Sequence, residues 1–168
     1  MSALIRNREI VANDLTLLDD EAAVPASGKV VVTLARWQKD SAELRKLPAE
    51  IGVRLPNTAD VSALFSELQD RKLIVVDFPG FADGRAYSQA RLLRDRYQFK
   101  GEILAIGGAV VRDQLQGMER SGINSFLLRA DQDAKVCLTA FSDFASAYQR
   151  AADQGMAVVR EQRRNSHA

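Results

Sequence analysis

The residues best suited to chemistry stand where an apolar run changes into a polar turn and then into a helical pattern. The run Leu73–Val76 ends at Asp77, and the following turn contains a second carboxylate and an arginine. Ligands of open α/β sheets bind at such junctions between strand and helix. The candidate site residues at this junction are Asp83, Gly84, Arg85, Tyr87 and Ser88.

Other polar residues follow other apolar runs. If the strands are parallel, all of these junctions open on one edge of the sheet, and three arginines there would favour an anion, because guanidinium groups and free helix N–H groups are all donors. Asp83 and Asp113 are the candidates for a catalytic base. The further candidate ligand-binding residues are Arg36, Trp37, Gly107, Gly108, Asp113, Gln114 and Arg129.

Each candidate also has a purely structural interpretation. Asp83 can be a helix N-cap, and Asp113 can be a first-turn acid stabilised by the helix dipole. Gly107-Gly108 can serve a tight turn, and Trp37 can be a core aromatic. The patterns GxGxxG, GxxxxGK[ST] and GxSxG are absent, so the best-known fingerprints for nucleotides and for a nucleophilic serine are missing.

The elements that must position these residues alternate between strand and helix. Helical stripes with one buried face separate the apolar runs, and Asp60 and Asp83 stand where N-caps belong. This order predicts an α/β fold with a five-stranded, mainly parallel, doubly wound sheet of the flavodoxin-like or receiver-like type. Half of a β/α barrel is the alternative. The predicted strands are Val30–Leu34, Gly52–Leu55, Leu73–Phe78, Ile103–Ile106 and Ser125–Leu128.

The first residues form a separate pattern. Two short apolar runs within residues 3–11 flank Asn7-Arg8 and predict an N-terminal β-hairpin. The polar stretch Asp19–Lys29 predicts a linker. We therefore expect one α/β domain over residues 1–152, with hairpin and linker in 1–28, and a helix end with a flexible tail in 153–168.

The amino-acid composition argues against several classes of partner and against a metal site. With 23 basic and 22 acidic residues the net charge is +1, so we expect neither nucleic acid nor a membrane as partner. The single cysteine, Cys137, cannot hold an iron–sulfur cluster, and the single histidine, His167, lies at the end of the chain, so no metal site is expected. No apolar stretch approaches the length of a membrane span, which predicts a cytoplasmic protein.

Residues 73–141 resemble the second half of a response-regulator receiver domain. The order LIVVDFPGFADG, helix, EILAIGG, helix, SGINSFLLRAD carries the likeness. By this resemblance Asp77 matches the phosphoacceptor and Arg129 the invariant lysine. The acidic pair that holds Mg²⁺ in receivers is missing, because Ala35-Arg36 follows the first predicted strand. The likeness therefore implies the fold and not phosphoryl transfer.

A second resemblance covers nearly the whole chain. The sequence is similar to a family of small proteobacterial proteins of unknown function, labelled as oxidoreductases of sulfite reduction and commonly encoded beside sulfite reductase. The motifs that carry the resemblance are Leu34–Trp37, Gly52–Leu55, Phe78–Arg94, Arg112–Leu115 and Phe126–Arg129.

Three functions follow as hypotheses. The first is an accessory or regulatory protein of sulfite reduction or sulfur assimilation that binds a small anion, or sulfite reductase itself, at the carboxyl edge of the sheet. The second is an oxidoreductase of the same pathway with a flavin at that edge, since electron transfer to sulfite needs a redox cofactor. The third is a small hydrolase or transferase that uses Asp83 or Asp113 as base and Arg85 or Arg129 to hold an anion.

Overall fold

The computed structural model describes residues 2–143, which form one mixed sheet of eight strands with helices packed on one face. The strands are β1 Leu4–Arg6, β2 Glu9–Val11, β3 Leu15–Leu17, β4 Lys29–Thr33, β5 Glu50–Leu55, β6 Leu73–Asp77, β7 Glu102–Ile106 and β8 Ser125–Leu127. The helices are α1 Leu34–Leu44, α2 Val61–Leu68, α3 Arg85–Arg91, α4 Arg112–Arg120 and α5 Ala134–Thr139. A π-helical turn, Leu92–Arg96, continues α3, and a 3₁₀ turn, Ala140–Ser142, follows α5.

The strand order corrects the predicted fold class. The order β2-β1-β8-β7-β6-β5-β4-β3 keeps β3 to β8 parallel and adjacent in chain order, and β1 joins β8 antiparallel. A doubly wound sheet, including the flavodoxin-like one, needs a reversal of order that sends helices to both faces. No reversal occurs here, so crossovers of one hand leave all helices on one side. The five-stranded, doubly wound prediction is wrong, and the sheet is curled into a half-barrel.

The chain itself shows how strongly the sheet curls. β2 and β3 are the two edges of the sheet, yet only residues 12–14 separate them. Four residue steps span at most about 14 Å, so Val11 at one edge cannot lie farther than this from Leu15 at the other. The sheet therefore has a concave inner face and a convex outer face that carries the helices.

Each face has its own core. The outer core joins strand residues to helix residues such as Trp37, Ala90 and Leu115. The inner core contains strand residues alone, which project from β1, β4, β6 and β7 into the concavity. These are Leu4, Val31, Leu73, Val75, Leu104 and Ile106, all at most 4% exposed.

Charged side chains close the concavity at the amino ends of the parallel strands. Arg6 of β1 donates to Glu102 of β7 at 2.9 Å and to Asp14 at 2.9 Å, and Lys29 of β4 lies 3.3 Å from Glu102. Side chains from opposite sides of the half-barrel meet here, which requires the curl. Burial alone would raise the pKa of Glu102, but the hydrogen bond from Arg6, the nearby hydroxyl of Ser125 and the charges of Arg6 and Lys29 together lower it.

Several local predictions are confirmed. β1 and β2 pair antiparallel about Asn7 and Arg8, whose φ angles are 51° and 65°, as a tight hairpin turn requires. Asp60 caps α2 by accepting from the backbone N–H of Ser62 at 2.8 Å. The predicted tail, residues 153–168 with His167, lies outside the described residues. Within residues 2–143 no helix has the length and apolar character needed to cross a membrane.

Candidate functional site

The loops that follow the parallel strands form a continuous rim at the carboxyl edge of the sheet. Asn57, after β5, donates to Asp83, after β6, at 2.6 Å. A Cβ on Gly108, after β7, would lie 2.9 Å from the carbonyl oxygen of Pro79, after β6. Arg129, after β8, donates to the carbonyl of Gly108 at 3.2 Å. Neighbouring loops therefore contact one another in chain order, as parallel strands require.

A cavity of about 380 Å³ opens at this rim where β4, β5 and β6 end. Most of its wall is apolar, and its polar groups come from the ends of β4, β5 and β6 and from Gln38 of α1. Its lining residues are Thr33, Leu34, Ala35, Gln38, Arg54, Pro56 and Asp77. We call it the mouth cavity. Sites of complete β/α barrels lie at this same carboxyl end.

An ion pair forms the polar part of the mouth cavity. Arg54 lies two residues after Gly52 on β5 and so faces the concavity, and its Nη2 donates to Asp77 at the end of β6 at 2.5 Å. The Arg54 side chain is 43% exposed and that of Asp77 is 17% exposed. Among the described residues this is the one hydrogen bond of the guanidinium, which carries five N–H donors. Most of its donors therefore remain for a ligand or water.

Thr33 lines the wall of the mouth cavity opposite the ion pair and anchors it by hydrogen bonds. Thr33 ends β4 and caps α1, where its hydroxyl oxygen accepts from the backbone N–H of Arg36 at 3.1 Å. The same hydroxyl donates to the carboxylate of Asp20. The loop before β4 is thereby fastened to the rim.

Two candidate residues on α1 have structural roles instead of facing the mouth cavity. Arg36 donates to backbone carbonyl oxygens of Asp19 and Ala22 and so fixes the loop between β3 and β4. Trp37 is fully buried, with the guanidinium carbons of Arg45 and Arg71 at 4.9 and 4.7 Å from its ring. It is a core residue.

Asp83 and Arg85 form an ion pair with two hydrogen bonds between their side chains. Arg85 donates to both carboxylate oxygens of Asp83, at 2.9 and 2.6 Å. The hydrogen bond from Arg85 lowers the pKa of Asp83 to about 2, so this carboxylate is a weak base at neutral pH. Gly84 is the N-cap of α3, and Asp83 reaches the backbone N–H of Arg85 from the position before it.

Tyr87 and Gln114 join two helices behind the rim. The Tyr87 hydroxyl donates to Oε1 of Gln114 at 2.6 Å, and its ring packs edge-on against Phe78, with 5.0 Å between centroids. Burial raises the pKa of Tyr87. Ser88 lies one residue further along α3, in a shallow groove with Arg91 and Ser121.

The remaining candidates lie after β7 and β8. Gly107 has φ +112°, and a Cβ there would lie 2.4 Å from the Phe78 carbonyl oxygen, so this glycine serves close packing of two loops. Asp113 is exposed on α4 with Arg112 at 3.7 Å. Arg129 donates to both oxygens of Asp131, at 2.6 and 2.8 Å, and this hydrogen bonding lowers the pKa of Asp131 to about 2.

The predicted convergence of Arg36, Arg85 and Arg129 on one anion therefore has no support in the hydrogen bonding, because each guanidinium already has its own acceptors. Sequence analysis missed Arg54 and Thr33 as site residues. The sequence does contain a sign that Arg54 could belong to a site, because it is a charged residue inside the apolar run Gly52–Leu55. A charge on the inner face of a strand needs a partner or a ligand.

Residues 2–143 contain no group of three or more side chains of the kinds that bind metals. The polar groups of the mouth cavity are one guanidinium, one carboxylate, one hydroxyl and one amide. Such a set suits an oxyanion, which accepts hydrogen bonds from arginine.

Comparison with protein families gives one match. Residues 52–159 fit the model of DUF934, described as a bacterial protein of unknown function. A search of curated proteins found no match. The matched segment includes Arg54 and Asp77 and covers more than half of the 168 residues. The chain belongs to the bacterial family of unknown function DUF934.

Proposed function

We propose that this protein binds a small oxyanion in the mouth cavity and acts as an accessory or regulatory protein of sulfite reduction or sulfur assimilation. The observation that carries the binding proposal is Arg54, whose guanidinium lies in an open cavity and, within residues 2–143, gives one hydrogen bond, to Asp77. The pathway rests on the likeness of the sequence to proteins encoded beside sulfite reductase.

The carboxylate of Asp77, next to Arg54, limits which anions the mouth cavity can bind. A fully ionised oxyanion would be repelled by Asp77, whereas an anion that keeps one O–H can donate to Asp77 and accept from Arg54. Hydrogensulfite and monoprotonated or diprotonated phosphate satisfy this condition, and sulfate at neutral pH does not. The site therefore discriminates by protonation as well as by charge.

The two enzymatic hypotheses have less support. The flavin hypothesis relied on a flavodoxin-like edge, and the observed strand order removes that reason. The hydrolase or transferase hypothesis needs Asp83 or Asp113 as a base. The pKa of Asp83, about 2, makes this carboxylate a poor base, and Asp113 is exposed on α4 and does not line the mouth cavity.

Calorimetric titration of sulfite, phosphate and sulfate into the protein tests the binding site. We expect sulfite or phosphate to bind, sulfate to bind more weakly, and Arg54→Gln to weaken binding about tenfold or more, the effect of losing a charged hydrogen bond. Arg85→Gln is the matched control and should bind as the wild type does. The absence of heat with all three anions, or equal binding by Arg54→Gln, would contradict the proposal.

The pathway needs a separate test. Sulfite reductase should co-purify with the tagged protein under reducing conditions, and a deletion strain should grow more slowly when sulfite is the sulfur source. Normal growth of the deletion strain on sulfite would count against a role in this pathway, while leaving the anion site to the titration.

A further inference from the structure

A second candidate site lies at the opposite edge of the sheet, where β6 and β7 begin. A groove of about 480 Å³ is formed there by the end of α2, the residues before β6 and the segment before β7. Its lining combines aromatic and basic side chains. The lining residues that carry the argument are Phe65, Arg71, Lys72, Tyr97, Phe99 and Lys100. We call it the basic groove.

The aromatic part of the basic groove is a flat stack. The rings of Phe65 and Tyr97 are nearly parallel, with centroids 4.3 Å apart and planes inclined by 20°. Both side chains are half-buried, and the buried Phe99 lies beside them. Tyr97 stacks on Phe65, and the guanidinium carbon of Arg96 lies over its ring at 5.6 Å from the centroid, so a second planar ring would meet the stack at an apolar edge.

The backbone is shaped to hold this stack. The π-helical turn Leu92–Arg96 closes with a hydrogen bond from Tyr97 N–H to the Leu92 carbonyl at 3.1 Å. Gln98 then adopts φ +52°, and its side-chain amide donates to the carbonyls of Arg94 and Asp95. A π turn and a left-handed residue are both uncommon, and π turns are frequent at functional sites.

The basic groove carries positive charge that acidic side chains balance only in part. None of its nine lining residues is acidic. Arg71 pairs with Asp70 at 2.7 Å, a carboxylate that it shares with Arg45. Lys72 has no carboxylate partner among residues 2–143, and Lys100 contacts only the uncharged Gln98 amide, at 3.4 Å. The N–H of Glu102 donates to the carbonyl of Lys72 at 2.7 Å, which joins the segment of Lys100 to that of Lys72, and both lysines line the groove.

We propose that the basic groove binds a planar heterocycle carrying a phosphate, the chemistry of a mononucleotide. The ring contacts the stack of Phe65 and Tyr97, and the phosphate lies between the ammonium groups of Lys72 and Lys100. Lysine binds phosphate as a point charge, and cavities of this size hold ligands of this class.

Calorimetric titration with adenosine monophosphate, flavin mononucleotide, adenosine and inorganic phosphate tests the proposal. At least one of the two nucleotides should bind, more tightly than adenosine and more tightly than phosphate. Lys72→Ala combined with Lys100→Ala should weaken that binding tenfold or more. Lys39→Ala combined with Lys46→Ala removes the same charge from exposed positions on α1 and just after it, and should leave the affinity unchanged.

Three outcomes would overturn the proposal. These are no binding of either nucleotide at millimolar concentration, phosphate binding as tightly as the nucleotides to Arg54→Gln, in which the mouth cavity is weakened, and unchanged affinity in the double variant of the groove. Tyr97→Leu separates the two halves of the site: it should weaken nucleotide binding and leave phosphate binding unaltered. Arg54→Gln, which tests the mouth cavity, should leave nucleotide binding unchanged, so the two proposed sites fail or succeed independently.

Discussion

A Cβ atom on Gly52 would lie 2.7 Å from the side chain of Leu73. The two residues are neighbours on β5 and β6 and face the concavity, and Leu73 is fully buried. Leu73 has no open space to move into, so Gly52→Ala should overpack the inner core. We expect the free energy of unfolding to fall by about 1–3 kcal/mol, measured by urea denaturation.

Gly80→Ala is the matched control for this substitution. A Cβ on Gly80 meets no heavy atom within 4 Å, and its φ is not left-handed. Its free energy of unfolding should stay within about 0.5 kcal/mol of the wild type. Equal stability of the two variants would show that the inner face of the sheet is more loosely packed than described.

Arg94 should be among the most important single side chains for stability. Its guanidinium donates to the carbonyls of Gly122, Phe99 and Gly101 and to Oδ1 of Asn124, at 2.6 to 3.2 Å. Burial lowers the pKa of Arg94. Lysine cannot reproduce these planar, divergent bonds, so Arg94→Lys should cost about 2–4 kcal/mol.

The exposed arginine three residues earlier provides the comparison for Arg94. Arg91 contacts Asp95 one helical turn away, and both side chains are close to half exposed. Arg91→Lys should change stability by less than about 0.5 kcal/mol. Thermal unfolding followed by circular dichroism compares both variants, and a small effect of Arg94→Lys would mean that water replaces its contacts.

The charged cluster around Glu102 should make stability depend on acid. Because the folded-state pKa of Glu102 is lowered, its carboxylate stabilises the fold above its ordinary pKa of about 4.3. This stabilisation is lost as the pH falls through the lowered pKa. Glu102→Gln should therefore be less stable by about 2 kcal/mol at pH 7, and its difference in melting temperature from the wild type should shrink toward pH 3.

Glu43→Gln is the control for the pH experiment. Glu43 pairs with Lys46 on the surface, where its side chain is 76% exposed. Its melting temperature should follow that of the wild type at every pH. A constant difference between Glu102→Gln and the wild type from pH 7 to pH 3 would contradict the assigned role of Glu102.

Cys137 should react with thiol reagents only when the protein opens. It is the single cysteine and is 1% exposed. Burial raises the pKa of its thiol, so little thiolate exists at neutral pH and reagents cannot reach it. Labelling with an aromatic disulfide at pH 7.5 should be about a hundredfold slower in buffer than in denaturing urea. Rapid labelling of the native protein would show that α5 detaches readily.

The sequence predicted the elements better than their arrangement. The run Leu73–Phe78 and strand β6, Leu73–Asp77, agree within one residue, because a buried parallel strand is apolar along its length. Such a run looks the same whether the next crossover helix lies on one face of the sheet or the other. The choice between doubly wound and half-barrel order therefore depended on contacts that periodicity does not record.

The candidate site was also difficult to predict, because it depends on contacts between residues distant in the sequence. Candidates were taken from the turns after each strand, such as Asp83 and Arg129, and these form pairs with charged residues two positions away. Arg54 lies within a strand, and its candidate role depends on its ion pair with Asp77, which lies on the next strand, 23 residues later in the chain. β3, of three residues, is too short to give a pattern and is recognised only by its pairing with β4.

The pairing of β1 with β8 joins Leu4 to Leu127. The hairpin precedes β8 in the chain by all of β3 to β7, so during synthesis it waits for its partner strand while those strands form. Contacts so distant in the chain form slowly, because closing a long loop costs entropy first. The seam between β1 and β8 is thus completed after β4 to β7, and a cleavage that removes the hairpin would leave this seam open.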